Sequence, residues 1–151
     1  MRVVLDTNVV ASALLWGGSP EQLIEAAGDG RLALLTSEAL LAELAGILER
    51  AKFAAKLTAK NTSTTEIVAR YRELTETIEA PPIEASALRD PDDAAVLACA
   101  VAAHADAIVS GDDDLHALGH FQNIPILTPA QCLQRLSGAG STQSGTPRLP
   151  P

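Results

Sequence analysis

Four acidic residues stand where carboxylates could act together on one substrate: Asp6, Glu43, Asp93 and Asp112. Asp6 and Asp112 follow short apolar runs, which are typical of strands buried on both faces. In open α/β folds, ligands bind at the edge where the carboxyl ends of parallel strands meet. We therefore expect these two carboxylates to lie at the same edge of a sheet.

Helical periodicity places the other two acids. Asp93 opens an apolar helix and shares its buried stripe, because Val96, Leu97 and Ala100 follow it at helical spacing. Glu43 flanks the apolar stripe of an earlier helix and is the acid of that helix nearest the core. Both side chains are predicted to face inward.

A set of carboxylates in one pocket implies a cation, because like charges raise each other's pKa. Oxygen ligands without a cluster of His or Cys suit Mg²⁺ or Mn²⁺ rather than zinc. Such an ion lowers the pKa of a bound water and offsets charge on phosphate oxygens. The chemistry that this set does best is phosphodiester hydrolysis.

Each acid also has a purely structural explanation. Asp6 and Asp112 are placed to cap the helix or turn that follows their strands. Asp93 is placed to bond back to Asp90 in a capping box, and Glu43 taken alone is typical of a solvated helix residue. All of these explanations must hold together, and they leave inward-facing acids where apolar residues pack better.

Alternating strands and helices must position these acids, in the order strand, helices, strand, helices, strand, helix, strand, helix. This order predicts an α/β fold with a mostly parallel sheet covered by helices on both faces. The predicted strands are residues 2–5, 32–36, 107–109 and 124–127, with a further short one near 77–79. Asp90 and Pro91 are predicted to open the helix of Asp93, and the last helix to end near Leu136.

The bulk properties indicate one domain over residues 1–136 and a disordered tail over 137–151, which is rich in Gly, Ser, Thr and Pro. No apolar run reaches the roughly 18 residues of a membrane span, and no signal peptide is recognisable. Cys99 and Cys132 lie in apolar segments without metal or redox spacing, which predicts buried thiols in a cytoplasmic protein.

The net charge of −8 opposes binding of a polyanion, but the charge is unevenly distributed. Basic residues collect in a predicted short helix or loop: Arg50, Lys52, Lys56 and Lys60. The first three are candidates for holding a nucleic-acid backbone, although a solvated helix face explains them as well. The three histidines, His104, His116 and His120, show no paired arrangement that would suit catalysis without a metal.

Four segments carry a resemblance to a known family: Leu5-Asp6-Thr7-Asn8, SEALLAEL at 37–44, RDPDDAAVLA at 89–98 and IVSGDDDL at 108–115. Each is a weak motif alone, but in this order and spacing the chain from about residue 2 to 136 resembles the PIN-domain nucleases. It is most similar to the small bacterial PIN proteins that act as toxins of toxin–antitoxin pairs.

The resemblance implies a three-layer α/β/α fold with a five-stranded, mostly parallel sheet. It implies Mg²⁺- or Mn²⁺-dependent cleavage of single-stranded RNA, a homodimer and a cognate antitoxin as partner. The four acidic positions of the family fall on Asp6, Glu43, Asp93 and Asp112. The alternative is a catalytically silent module of the same fold that binds RNA or a protein.

Some positions depart from the family pattern. The run Asp112-Asp113-Asp114 leaves the last metal ligand ambiguous; we favour Asp112, with Asp114 as an auxiliary ligand or water-orienting group. Ser110 stands where the family often has threonine. Asn8 is expected to orient Asp6 or a metal-bound water, or simply to satisfy backbone groups at the start of the helix.

Overall fold

A central sheet organises the computed structural model, which describes residues 1–83 and 93–145, with side chains up to residue 138. In these residues the sheet has six strands: β1 (Arg2–Leu5), β2 (Ala33–Thr36), β3 (Glu76–Thr77), β4 (Ala107–Val109), β5 (His120–Phe121) and β6 (Ile124–Leu127). The strand order is β3-β2-β1-β4-β6-β5. All neighbouring pairs are parallel except β5 with β6.

The prediction of five strands was wrong in number, because the sheet described here has six. The additional strand is β5, a two-residue edge strand that pairs antiparallel with β6. Its hairpin turns through Gln122 and Asn123, which have φ angles of 48° and 69°. Positive φ at both central residues suits the right-handed twist of a hairpin, but the dipeptide lacks the glycine that usually signals such a turn.

Eight helices cover the sheet in the described residues: α1 (Thr7–Leu15), α2 (Ser19–Gly28), α3 (Glu38–Leu48), α4 (Ala51–Ala59), α5 (Thr64–Leu74), α6 (Asp93–Ala103), α7 (Asp113–Leu118) and α8 (Pro129–Gly145). The basic stretch is therefore a helix, α4. The final helix is longer than predicted, since it continues past Leu136 to Gly145. Disorder of the tail stays a prediction, and the predicted cap Asp90-Pro91 lies outside the described residues.

Alternation along the strands divides the core between the two faces of the sheet. Val3 and Leu5 of β1 pack with α1, α2 and α3 in one cluster, whereas Val4 between them packs with α6 in the other. Both faces are thus covered, which explains why the strand is apolar at every position from Val3 to Leu5. This arrangement confirms the predicted three-layer α/β/α fold.

The two thiols are buried as expected. Cys99 and Cys132 are each 0% exposed and unpaired, and burial raises the pKa of each thiol to about 11. A thiol with so high a pKa stays protonated and unreactive at neutral pH. In the described part of the chain, none of the helices has the length and apolar character that crossing a membrane requires.

Candidate active site

A cleft of about 510 Å³ lies at the carboxyl edge of the sheet and brings all four predicted acids to one place. Its lining consists of Asp6, Thr7, Asn8, Glu43, Gly46, Ile47, Arg50, Asp93 and Asp112. These residues come from the ends of neighbouring strands and from the helices beside them. The catalytic and metal-binding roles of the four acids remain predictions; the fold brings the four residues to one cleft.

Strand register explains how Asp6 meets the turn after β4. Leu5 and Val109 are register partners in the parallel pair β1–β4, and the Asp6 amide donates to the Val109 carbonyl at 2.9 Å. The residues that follow each strand, Asp6 and Ser110, therefore leave the sheet side by side. The Ser110 hydroxyl donates to Oδ2 of Asp6 at 2.8 Å.

The helix-capping role of Asp6 is carried by its backbone carbonyl rather than by its side chain. Its carbonyl accepts from the amides of Val9 and Val10, as the residue before α1 must. In the described part of the chain its carboxylate accepts no regular capping hydrogen bond, although the backbone of Thr7 and Asn8 lies close enough to lower its pKa. The carboxylate is instead directed to Ser110 and the cleft.

Burial raises the pKa of the Asp6 carboxyl above its usual value. The hydroxyl of Ser110 and the backbone of Thr7 and Asn8 lower it, while the negative charge of Asp112 raises it again. The net effect disfavours the ionised form of Asp6. A cation in the cleft would reverse this effect, because it stabilises the carboxylate over the acid.

Ser110 joins two of the acids. Its side chain is fully buried, and besides donating to Asp6 its oxygen accepts from the amide of Asp112 at 2.9 Å. One hydroxyl therefore fixes both the Asp6 carboxylate and the path of the chain into Asp112. This is the geometry that the predicted supporting role of Ser110 needs. A threonine would offer the same hydroxyl, in line with the family pattern.

Asp112 has the structural role that the sequence left open. Its Oδ1 accepts from the amides of Asp114 at 2.7 Å and Leu115 at 3.4 Å, and so caps the short helix α7. The same side chain lines the cleft. A carboxylate has two oxygens, so capping through one leaves the residue able to bind a cation through the other.

The remaining predicted residues are distributed unevenly around the cleft. Asp93 is 8% exposed and begins α6, while Glu43 is half-buried on α3. Asn8 is exposed and lines the cleft two residues after Asp6. Asp114 is half-buried but, among the described residues, is not part of the cleft lining, and its auxiliary role stays a prediction.

One side of α3, together with the residues that follow the helix, supplies both an acidic and a basic side chain to the cleft. Glu43, Gly46, Ile47 and Arg50 all line the cleft and follow one another at helical spacing. Arg50 lines the cleft, whereas Lys52 lies over the ring of Phe53 and Lys56 over the ring of Trp16. The interval of seven residues between Glu43 and Arg50 could have placed both on one side of a helix. The composition of the basic stretch instead groups Arg50 with the lysines that follow it.

His116 has a positioning role that its sequence context did not reveal. Its Nε2 lies 2.6 Å from the carbonyl oxygen of Ser110, so this nitrogen carries the proton and donates. This hydrogen bond stabilises the turn between β4 and α7. His116 therefore positions Ser110. This role agrees with the sequence analysis, which found no paired arrangement of histidines that would suit catalysis.

The donor set fits a hydrated divalent cation better than a closed metal cage. Within residues 1–83 and 93–145, no three His, Cys, Asp or Glu side chains stand close enough together to hold an ion among themselves. Mg²⁺ usually keeps several waters and takes one or two carboxylates together with substrate phosphates. Carboxylates spread around an open cleft match that mode of binding.

Comparisons with known proteins agree with the fold. The chain is similar to a chain in the crystal structure of VapBC2 from Rickettsia felis bound to a DNA fragment from their promoter, with a TM-score of 0.55. The sequence identity is 17%, over 85% of this chain and 98% of the other, so this likeness shows the fold alone. No curated protein matches the sequence.

The family comparison covers the residues that build the cleft. The family description "PIN domain" matches residues 2–114, a span that includes all four acids and Ser110. It extends from β1 to the beginning of α7, and so contains every strand end that the site uses. Because the match covers more than half of the chain, this protein belongs to the PIN-domain family.

Proposed function

We propose that this protein is an Mg²⁺- or Mn²⁺-dependent endoribonuclease that hydrolyses phosphodiester bonds in single-stranded RNA. The observation that carries the proposal is the single cleft lined by Asp6, Glu43, Asp93 and Asp112 in a chain of the PIN-domain family. PIN nucleases generally use divalent metal ions. The Asp6 carboxyl is buried at this cleft, and a bound cation would offset the cost of burying its ionised form.

The chain's own residues have distinct tasks in this proposal. Asp6, Asp93 and Asp112 would hold the cation, in part through its bound waters, with Asp114 as an auxiliary group. When bound, the ion supplies an activated water and offsets charge on the phosphate. Glu43 is the acid left to accept a proton from the water or to orient it. Ser110 fixes the Asp6 carboxylate, so that its oxygens need not reorganise when substrate binds.

Arg50 is the group best placed to attract the substrate in an otherwise acidic cleft. Its side chain is exposed and lines the cleft together with the four acids. A guanidinium binds phosphate through two parallel hydrogen bonds and keeps its charge at every relevant pH. We infer that Arg50 contacts a backbone phosphate next to the scissile bond.

We further propose that the protein is the toxin of a toxin–antitoxin pair, active in the cytoplasm as a homodimer. The support is the family match together with the similarity to a chain of a VapBC2 complex. In such a pair, the antitoxin partner would block the acidic cleft until it is removed. Coexpression with the protein encoded by the neighbouring gene, followed by copurification, tests this part of the proposal.

The activity is tested with purified protein, free of any antitoxin, and a fluorescent single-stranded RNA. We expect cleavage with Mg²⁺ or Mn²⁺, none in a chelator, and loss in both Asp6→Asn and Asp93→Asn. Asp29→Asn is the matched control, because Asp29 is an exposed acid at the end of α2, outside the cleft lining. Products that end in a 2′,3′-cyclic phosphate would contradict hydrolysis by a metal-activated water.

The second candidate is a silent module that binds RNA or protein without cutting it. Such a module would bind RNA through the same cleft, whose lining includes Arg50 beside the four acids. Calorimetric titration with Mn²⁺ separates the two candidates. Binding that disappears in Asp6→Ala supports the nuclease, whereas no binding by the wild-type protein supports the silent module.

A further inference from the structure

An aromatic and basic surface lies beside the cleft, formed by Trp16, Lys52, Phe53 and Lys56; we call it the Trp16 patch. Trp16 follows the last residue of α1 and is 54% exposed. Its ring meets the buried ring of Phe53 edge to face, with the centroids 5.3 Å apart and the planes at 64°. Lys56 Nζ lies 5.5 Å from the Trp16 ring centroid, and Lys52 Nζ lies 5.1 Å from that of Phe53.

The patch continues directly from the cleft. A depression of about 350 Å³ is lined by Asn8, Ser12, Trp16, Lys52 and Phe53, and Asn8 also lines the cleft. Asn8 and Ser12 lie on one face of α1, and Trp16, directly after the helix, follows them at the same interval of four residues. From Asn8 to Trp16 the rise along the helix is about 12 Å, a distance that a few nucleotides of single strand span.

The segment that supplies both lysines of the patch has a charge opposite to that of the whole chain. The net charge is −8, yet residues 50–60 hold four basic side chains and no acidic one. Two of these bases flank exposed or packed aromatic rings in a chain with only 3% aromatic residues. Stacking surfaces next to cations are the combination that binds single-stranded nucleic acid, with the bases on the rings and the phosphates on the cations.

We propose that the Trp16 patch is a subsite for an unpaired nucleobase of the RNA whose backbone passes through the cleft. This inference rests on the proposed function and names the part of the substrate that lies beyond the scissile phosphate. The base stacks on Trp16, and Lys52 and Lys56 bind the phosphates beside it. Because every base has a flat face, the subsite favours single strands over duplexes without selecting one sequence.

Trp16 itself provides the first test, because it is the only tryptophan in the chain and its fluorescence therefore reports on the patch alone. Wild-type protein is titrated with a short oligouridylate in Ca²⁺, with gels to verify that the strand stays intact. An abasic oligomer of equal length and charge is the control. We expect saturable quenching by the oligouridylate and much less by the abasic strand. Equal quenching by both strands, or none by either, would overturn the proposal.

The second test separates stacking from charge. Trp16→Ala is expected to raise the KM for RNA cleavage about tenfold at nearly constant kcat, whereas Trp16→Phe keeps most of the affinity. Lys56→Ala should also raise the KM. Lys60→Ala is its matched control, because it removes a charge from the same basic stretch but lines a different depression. Melting temperatures of all variants show whether each one is folded.

The outcomes distinguish this inference from the proposed function. If wild-type protein cleaves no RNA but shows base-dependent quenching, the nuclease proposal fails and the subsite stands. If Trp16→Ala cleaves RNA with an unchanged KM, the subsite fails and the nuclease stands. If a protein partner covers Trp16 while RNA does not alter its fluorescence, the patch is a protein interface and the inference is wrong.

Discussion

The hydroxyl of Ser110 donates to Oδ2 of Asp6 at 2.8 Å, although 104 residues separate the two along the chain. The contact exists because β1 and β4 are parallel neighbours in register, so that the residues after them emerge together. One atom makes two contacts, because the same Ser110 oxygen also accepts a hydrogen bond from the Asp112 amide. The first prediction concerns this atom.

Removing the hydroxyl should weaken metal binding without unfolding the protein. Ser110→Ala takes away a hydrogen bond that lowers the pKa of Asp6, so this pKa should rise further and the carboxylate should bind a cation less readily. Loss of a group that orients a metal ligand typically costs about tenfold to a hundredfold in affinity or activity. Titration with Mn²⁺ measures the loss of metal affinity. A shift of the pH–rate profile to higher pH reports the rise in the Asp6 pKa. Ser110→Thr should restore activity, and failure of both variants alike would indicate damaged packing instead.

Asp6→Asn should stabilise the metal-free protein while abolishing its stabilisation by metal. The pKa of Asp6 is raised in the folded state by burial, so folded protein binds this proton more tightly than unfolded protein does. The free energy of unfolding therefore falls as the pH rises from the unfolded to the folded pKa, and stays lower at neutral pH. A neutral amide avoids that loss. Thermal melts at pH 7 with chelator and with Mn²⁺ test both parts, and a lower melting temperature in chelator would contradict the first.

His116 is expected to support the site without taking part in proton transfer. His116→Ala removes the hydrogen bond to the Ser110 carbonyl, which should cost about 1 kcal/mol of stability and reduce cleavage moderately. The pH–rate profile should keep its shape, and the decrease should be far smaller than in Asp93→Asn. Complete loss of cleavage by a folded His116→Ala protein would assign the histidine a catalytic role.

Arg50→Ala should weaken RNA binding and make it less sensitive to salt. One phosphate contact contributes about one counterion to the salt dependence, so the slope of log affinity against log salt should decrease by roughly 0.7. Arg31→Ala is the control, because Arg31 is an exposed arginine that pairs with Asp29 away from the cleft. Fluorescence anisotropy with a labelled RNA at several salt concentrations gives the slope for each variant. Equal slopes for the two variants would show that Arg50 does not contact the RNA backbone.

Local patterns were sufficient to predict most of the sheet. Continuous apolar residues from Val3 to Leu5, and again from Ala107 to Val109, indicated strands buried on both faces, and both strands are parallel and central. The edge strand β5 escaped prediction because two residues carry no alternation. Its hairpin depends on backbone angles at Gln122 and Asn123 that the dipeptide does not signal.

The chain by itself determined which residues are available for chemistry: carboxylates after strands and at a helix start, spaced as in the PIN-domain family. It could not decide between a cap and a cation ligand, since both need an acid at the same position. Tertiary structure directed Asp6 to Ser110 and the cleft, and it gave Asp112 a cap while keeping it in the lining. It also placed Trp16 on Phe53 of another helix. Each of these results depends on strand register or helix packing, which join residues far apart in sequence and leave no local pattern.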